Sequence, residues 1–116
     1  MSHLTLHNIS FKSPILVASG TYGYGHEVKG LVNINQLGGI ITKSVTRHPR
    51  EGNPPPRIAE TPSGMLNSIG LANLGVDQYC SEIIPSLNKL DTNIIINIAG
   101  TTIEDYIETM QILESY

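Results

Sequence analysis

Apolar and polar positions along the chain predict strands that alternate with helices. Segments at residues 15–18, 39–45 and 93–98 are predicted to be strands, and the apolar run 15–18 is typical of a buried parallel strand. Segments with apolar residues at helical spacing follow them, at residues 26–32, 76–90 and from 103 onward. Two short alternating segments around His7 predict an N-terminal β-hairpin. The order of these elements indicates an α/β fold with a parallel sheet.

The sequence of the helical segments indicates where a helix begins, where it is distorted and which residues it buries. Pro85 is expected to kink or break the second helix, because proline removes a backbone hydrogen bond and clashes with the preceding turn. Thr101 and Glu104 have the spacing of a capping box for the third helix. The first helix is expected to bury Val28, Leu31 and Val32. The third is expected to bury Ile103, Tyr106, Ile107, Met110 and Leu113.

The longest segment without helical or strand periodicity covers residues 49–71. Three consecutive prolines at 54–56 hold its first half extended. Pro62 and Ser63 form a turn signal between residues 57–61 and 64–69, which predicts a small hairpin. Long ordered loops in compact domains usually carry function. We expect this loop to bring Asn67 back over the strand end where Lys43 lies.

Composition limits the class of protein. The 116 residues are 40% hydrophobic and 15% charged, which indicates a globular chain. A net charge of −3 argues against a nucleic-acid partner. No apolar run is long enough to span a membrane, and the first residues do not resemble a signal peptide. We expect a cytoplasmic protein with neither a membrane nor a nucleic-acid partner.

The cysteine and histidine residues do not predict a metal site. A single cysteine, Cys80, excludes an internal disulfide and a cysteine-ligated cluster within this chain. Cys80 lies on the apolar stripe of a helix and is expected to be an inert core residue. The four histidines have no metal-ligand spacing: His3, His7, His26 and His48.

Polar or small residues end or directly follow each of the three predicted strands. Because parallel barrels place their sites at the carboxyl ends of strands, these residues are candidates for one shared ligand site. They are Ala18, Ser19, Gly20, Lys43, Ser44 and Asn97. An ammonium group at Lys43 suits a ligand with negative charge, and the alternative is a solvated lysine. Asn67, taken alone, is more simply a turn asparagine that bonds its own backbone.

Three segments, ASGTYGYG, ITKS and EGNPPPRIAETPSGMLNSIGL, occur in an order that resembles the N-terminal part of class 1 dihydroorotate dehydrogenases. The wording ETPSGMLNSIGL is most similar to the class 1B branch, whose FMN-binding catalytic subunit works with an iron–sulfur partner. The resemblance implies the N-terminal part of a (β/α)₈ barrel. Such a barrel has about 250 residues. Residues 1–116 would then be a partial barrel domain of about three βα units, with the C-terminal remainder missing.

The resemblance also implies roles for individual residues. The implied FMN contacts are Ala18, Ser19, Gly20, Lys43, Ser44 and Asn97. The implied substrate contacts are Lys43, Asn67, Ser68, Ile69, Gly70 and Leu71. The family's base is a cysteine on a later loop, and its FMN phosphate is held by late-barrel loops. Nothing in this chain matches either feature, so no catalytic residue is assigned here.

The activity implied by the resemblance is oxidation of dihydroorotate to orotate in pyrimidine biosynthesis, with FMN as cofactor. In the 1B branch the electrons pass to NAD⁺ through a partner subunit with FAD and a 2Fe–2S cluster. The resemblance implies a homodimer, and in class 1B a heterotetramer with that partner. The alternatives are a class 1A enzyme that uses fumarate, a dihydropyrimidine dehydrogenase-like module, and a non-catalytic ligand-binding fragment. The isolated chain is expected to be inactive.

Overall fold

The computed structural model describes residues 4–28 and 30–116, which form short strands and helices in α/β order. The strands are β1 (Leu4–Leu6), β2 (Ile9–Phe11), β3 (Leu16–Val17), β4 (Gly39–Ile41), β5 (Ile58–Thr61), β6 (Gly64–Asn67) and β7 (Asn93–Ile95). β1 pairs with β2, and β5 with β6, in antiparallel hairpins. A parallel sheet has the order β3-β4-β7. The predicted α/β class is confirmed.

The helices lie between the strands of the parallel sheet and after β7. They are α1 (Ser19–Tyr22), α2 (Val76–Gln78), α3 (Ile84–Leu87) and α4 (Ile103–Glu114). A π-helical turn, Tyr79–Ile83, joins α2 to α3, and 3₁₀ turns lie at His26–Val28 and Ile34–Gln36. In residues 4–28 and 30–116, no helix combines the length and apolar character needed to cross a bilayer.

The strands of the parallel sheet are shorter than the apolar runs that predict them. Beyond β4, Thr42 N donates to Ile95 O at 3.0 Å and Val45 N donates to Asn97 O at 2.8 Å, so pairing continues after the regular ladder ends. The predicted burial of residues 15–18 is wrong: Ile15 is 60% exposed, because β3 lies at an edge of the sheet. Ile40 in the central strand is fully buried.

The helix predicted at residues 26–32 is reduced to the 3₁₀ turn His26–Val28. Gly30 has φ +89°, a left-handed conformation that a right-handed helix cannot contain. Leu31, predicted to face the core, is 81% exposed, and Val32 is also exposed. The prediction for this segment is therefore wrong, and glycine is the physical reason.

Pro85 disrupts the α-helical hydrogen bonding, as predicted, through the π-helical turn that precedes it. Ile84 N donates to Tyr79 O, a bond across five residues instead of four. Pro85, which has no N–H to donate, follows this turn as the second residue of α3. The helix ends at Leu87, earlier than residue 90.

The capping box of α4 lies one residue later than predicted. Thr102 Oγ1 accepts from Asp105 N at 3.1 Å, and the Asp105 carboxylate accepts from Thr102 N at 3.1 Å. The same carboxylate accepts from Thr101 N at 2.8 Å. These bonds, led by the one from Thr101 N, lower the pKa of Asp105. Thr101 and Glu104 do not form the box, because the helix begins at Ile103.

The predicted core face of α4 is mostly wrong. Ile103 is 74% exposed, and three more of the predicted core residues are exposed as well: Tyr106, Ile107 and Met110. Thr109 is fully buried, and Ile112 and Leu113 pack against the core. Periodicity identifies an apolar stripe along α4, but the positions of the neighbouring elements determine which side of the helix is buried. Among the described residues, only the side of α4 that carries Thr109 packs against the core.

The core lies between the central strand region and the α2–α3 helix. Its buried members are Tyr24, Val45, Val76, Tyr79, Cys80, Ile83 and Leu87. Arg47 joins two helices over this core, because its side chain donates to Asp77 Oδ2 at 2.9 Å and to Glu108 Oε2 at 3.0 Å. The strands therefore lie on a packed core, which supports their carboxyl ends.

Candidate functional site

An open cleft of ≈ 780 Å³ lies at the carboxyl ends of β3 and β4 and beneath the returning half of the long loop. Most of the predicted site residues line it: Ser19, Gly20, Lys43, Ser44, Asn67, Ser68, Ile69, Gly70 and Leu71. The cleft therefore joins residues from separate parts of the chain, including the Lys43 and Asn67 pair. The sequence pattern predicts this convergence.

Ala18 and Asn97 do not line the cleft. Ala18 is the N-cap of α1, and its carbonyl accepts from Thr21 N at 3.3 Å and from Tyr22 N at 3.2 Å. Asn97 Nδ2 donates to Ser44 Oγ at 2.8 Å. Asn97 thus orients a residue that does line the cleft, and Ala18 begins the helix that carries Ser19 and Gly20.

Five lining residues escape the sequence prediction: Thr21, Gly23, Glu27, Asn53 and Ala72. Glu27 reaches the cleft because its carboxylate accepts from Tyr24 N at 3.0 Å, which folds the turn back on itself. Gly23, at φ +54°, packs directly against that carboxylate, so a side chain there would displace Glu27. Glycines at 20, 23 and 25 permit close approach of the backbone, but the sequence does not identify Glu27 as the group that approaches.

The two halves of the long loop are braced against each other beside the cleft. Asn53 N donates to Ile69 O at 3.0 Å, and Asn53 Nδ2 donates to Ser68 Oγ at 2.7 Å. Gly70 has φ +80°, and a Cβ at this position would lie 2.7 Å from Asn53 N. The close approach therefore requires glycine at 70 and fixes the backbone of the predicted substrate segment.

Asn73 ties the end of the loop to the end of the central strand region. This buried side chain accepts from Thr46 N at 3.1 Å and from Gly75 N at 2.9 Å, and it donates to Leu71 O at 2.7 Å. Leu71 has φ +55°, an uncommon conformation for a residue with a side chain. The bond from Asn73 holds Leu71 in that conformation at the edge of the cleft.

Lys43 is the cation of the cleft. Its Nζ lies 5.8 Å from the ring centroid of Tyr24, and its main-chain N donates to Gly23 O at 2.8 Å. Within residues 4–28 and 30–116, no carboxylate forms an ion pair with Lys43. The ammonium group is therefore available to a ligand that carries negative charge.

No group of three metal-binding side chains comes together in the described part of the chain. Cys80 is buried in the core, and this burial raises the pKa of its thiol. The thiol is thus held in its unreactive, protonated form. The prediction that Cys80 is a core residue is confirmed.

Comparison with known proteins places the chain in a family. The model of the family described as dihydroorotate dehydrogenase matches residues 1–116. The chain belongs to this family. A dihydroorotate dehydrogenase B (NAD(+)), catalytic subunit, from Bacteroides thetaiotaomicron is 50% identical over 105 residues, which are 90% of this chain and 35% of that protein.

Other family members give the same relation. The identically named subunit from Thermodesulfovibrio yellowstonii is 51% identical over 107 residues, 92% of this chain and 35% of that protein. The one from Desulforamulus reducens is 55% identical over 94 residues, 81% of this chain and 31% of that protein. The chain therefore spans about a third of the length of the relatives it matches.

Proposed function

We propose that the chain is the N-terminal third of the catalytic subunit of an NAD⁺-linked dihydroorotate dehydrogenase, which oxidises dihydroorotate to orotate in pyrimidine biosynthesis. The observation that carries the proposal is the cleft that joins Lys43 to residues 67–71. Relatives at about 50% identity are named as catalytic subunits of dihydroorotate dehydrogenase B (NAD(+)), which supports the same reaction. The isolated chain is expected to be inactive, because it lacks the family's base.

In this proposal the parallel sheet is the first part of a (β/α)₈ barrel. The sheet order β3-β4-β7 and the helices between its strands suit the first βα units of such a barrel. Residues 1–116 would form one partial domain. The cleft lies at the carboxyl ends of the strands, where barrels of this kind carry their sites.

The residues of the cleft fit a flat cofactor such as FMN. A Cβ added at Gly20 would have no atom within 4 Å, so this face of the cleft is open to a planar ring. FMN, when bound, supplies the acceptor for the hydride of the substrate. We assign its ring to Ser19, Gly20, Lys43 and Ser44, with Asn97 orienting Ser44 and Ala18 supporting α1.

The residues of the loop fit a pyrimidine ring with a carboxylate. The amide of Asn67 offers both a donor and an acceptor, and the backbone at 68–71 is fixed by the Asn53 and Asn73 contacts. The Lys43 ammonium group can pair with the carboxylate of orotate and stabilise negative charge that develops near the cofactor. We therefore assign substrate binding to Lys43, Asn67, Ser68, Ile69, Gly70 and Leu71.

Proton removal from the substrate is assigned to a residue outside this chain. The Cys80 thiol is buried in the core and does not line the cleft. Glu27, the carboxylate of the cleft lining, is held by Tyr24 N and is engaged in its own turn. A cysteine on a later barrel loop, as the family has it, would complete the reaction.

The acceptor and a second subunit are proposed with support from the relatives' names, which are those of NAD(+)-linked catalytic subunits. We infer that electrons pass to NAD⁺ through a second subunit with FAD and a 2Fe–2S cluster. The assembly would be a cytoplasmic heterotetramer built on a homodimer of catalytic subunits. A fumarate-linked enzyme would work without the second subunit.

The test is dihydroorotate oxidation by the protein expressed from its complete reading frame, with FMN. NAD⁺, fumarate and an artificial dye would be compared as acceptors, with and without the iron–sulfur subunit. We expect oxidation with the dye in both cases, and NAD⁺ reduction only with the partner subunit. Fumarate reduction without the partner would favour the class 1A alternative. No oxidation with any acceptor would overturn the proposed activity.

A further inference from the structure

We propose that Tyr24 is a positioning residue that holds the ammonium group of Lys43 at the cleft, so that an anionic ligand meets a fixed cation. The proposal rests on the proposed function in one respect, the use of orotate as the ligand. The position of the tyrosine itself rests on contacts within the described part of the chain.

The Tyr24 ring and the Lys43 ammonium group have cation–π geometry. Nζ lies 5.8 Å from the ring centroid, within the distance of about 6 Å at which a ring face attracts a cation. Tyr24 is only 5% exposed, so water competes weakly for this face. Such contacts gain strength when they are desolvated.

Tyr24 is fixed from three sides, which makes it a rigid support. Its N–H donates to the Glu27 carboxylate, with distances of 3.0 and 3.2 Å to the two oxygens. Its hydroxyl accepts from Leu74 N at 3.3 Å, at the end of the long loop. Its ring packs on the Tyr79 ring, with centroids 5.4 Å apart. Tyr24 therefore connects the turn after α1 to the returning loop.

The turn that contains Gly23 and Tyr24 holds both the main chain and the side-chain end of Lys43. Its main-chain N donates to Gly23 O at 2.8 Å, beside Tyr24 in sequence. Its side chain has no ion-pair partner among the described carboxylates. The backbone bond fixes the base of the side chain, and the ring fixes its end. A cation held in advance binds an anion with less loss of side-chain entropy than a mobile one.

The competing explanation is that Tyr24 is only a core residue, because it belongs to the main buried cluster. The two roles differ in how Tyr24 and Lys43 depend on each other. A positioning residue acts through Lys43, so its removal has no effect on ligand affinity once Lys43 is gone. A purely structural residue affects affinity equally with and without Lys43.

The test is a double-mutant cycle of orotate affinity, measured by titration calorimetry on the protein from its complete reading frame. The variants are Tyr24→Leu, Lys43→Met and the double variant, with Tyr24→Phe keeping the ring. We expect Tyr24→Leu to weaken binding about fivefold to thirtyfold. We expect Tyr24→Phe to stay within about twofold, and Tyr24→Leu to add nothing in the Lys43→Met background. Independent, multiplicative effects of the two changes would overturn the proposal.

A second measurement reports the contact without any ligand. Lysines carrying ¹³C-methyl groups give NMR signals, and the signal of Lys43 should be shifted upfield by the current of the Tyr24 ring. The shift should persist in Tyr24→Phe and in the control Tyr22→Leu, and disappear in Tyr24→Leu. Absence of the shift in the wild type would overturn the proposal. A wild type that shows the shift but binds no orotate would refute the proposed function and leave the contact standing.

Discussion

Asn73 is the residue on which the geometry of the returning loop depends most. Its amide satisfies backbone groups of Thr46, Leu71 and Gly75 in a buried position. Apolar side chains of similar size could not replace it, because each of these groups would then be left without a partner. Buried polar groups that lose their partner are costly to a fold.

We predict that Asn73→Ala lowers the free energy of unfolding by about 1–3 kcal/mol, the usual range for orphaned buried groups. Urea unfolding of the protein measures this change. Asn33→Ala is the matched control, since Asn33 is exposed and its side chain makes no cap bond. Equal midpoints for the two variants would show that the Asn73 contacts contribute nothing to stability.

Some residues of the site could be predicted from the sequence, and others could not. Lys43 and Asn67 were predictable together, because one follows a strand and the other lies on a loop that returns over it. Glu27 and Asn53 were not, because their contacts join positions whose proximity depends on the fold. Local patterns carry no information about such pairs.

At the scale of elements, the brace between the two halves of the loop shapes the proposed substrate segment. Its close approach depends on Gly70, where a Cβ would meet Asn53 N. Gly30 has a similar positive φ, of +89° against +80°, but no atom lies within 4 Å of a Cβ built there. Substitutions at Gly70 and Gly30 therefore separate the effect of steric crowding by neighbouring atoms from the effect of backbone strain.

We predict that Gly70→Ala weakens orotate binding at least about tenfold, while Gly30→Ala leaves affinity within about twofold. Both changes should destabilise the protein by about 1 kcal/mol or more, because alanine is strained at positive φ. Calorimetric titration of folded samples measures the affinities. Similar losses of affinity in both variants would mean that the brace does not shape the site.

Helix α4 depends on a charged cap whose strength varies with pH. Hydrogen bonds from Thr101 and Thr102 lower the pKa of Asp105 below its ordinary value of 3.8. A lowered pKa stabilises the fold when the carboxylate is ionised, above that value, and the stabilisation is lost as the pH falls through the folded-state pKa. The cap therefore favours the folded chain at neutral pH and weakens in acid.

We predict that the wild type loses more stability than Asp105→Asn when the pH falls from about 5 to about 2. Urea midpoints at a series of pH values measure this difference. Glu104→Gln, one residue earlier in α4, is the control, because the N–H groups of Thr101 and Thr102 donate to Asp105 and not to Glu104. The same pH slope for wild type and Asp105→Asn would show that the cap carboxylate is unimportant.

The sequence predicts the order of strands and helices better than it predicts where each element ends or which side is buried. The strand and helix order follows from apolar periodicity, whereas the extent of each element depends on its neighbours. Gly30 ended a predicted helix through its backbone conformation. The apolar stripe of α4 was correctly placed on a helix, but the flank that is covered is the one that meets the α2–α3 helix. Sequence spacing does not contain that information.

At the scale of the whole molecule, much apolar surface is left open. Large side chains are exposed on β3, on the β5–β6 hairpin and on α4, including Leu16, Leu66 and Met110. The radius of gyration is 15.7 Å, against about 13 Å for a compact chain of 100 residues. Exposed apolar faces and open strand edges promote association. We therefore predict that the isolated 116-residue chain associates in solution, and sedimentation velocity tests this.

Orotate titration of the protein from its complete reading frame decides whether the cleft is the substrate site. Lys43→Met and Asn67→Ala would be compared with the wild type, and Lys89→Met and Asn33→Ala serve as exposed controls of the same chemistry. We expect the two cleft variants each to lose at least about tenfold in affinity, while the controls stay within about twofold. Wild-type affinity in both cleft variants would contradict the assignment of the cleft as the substrate site.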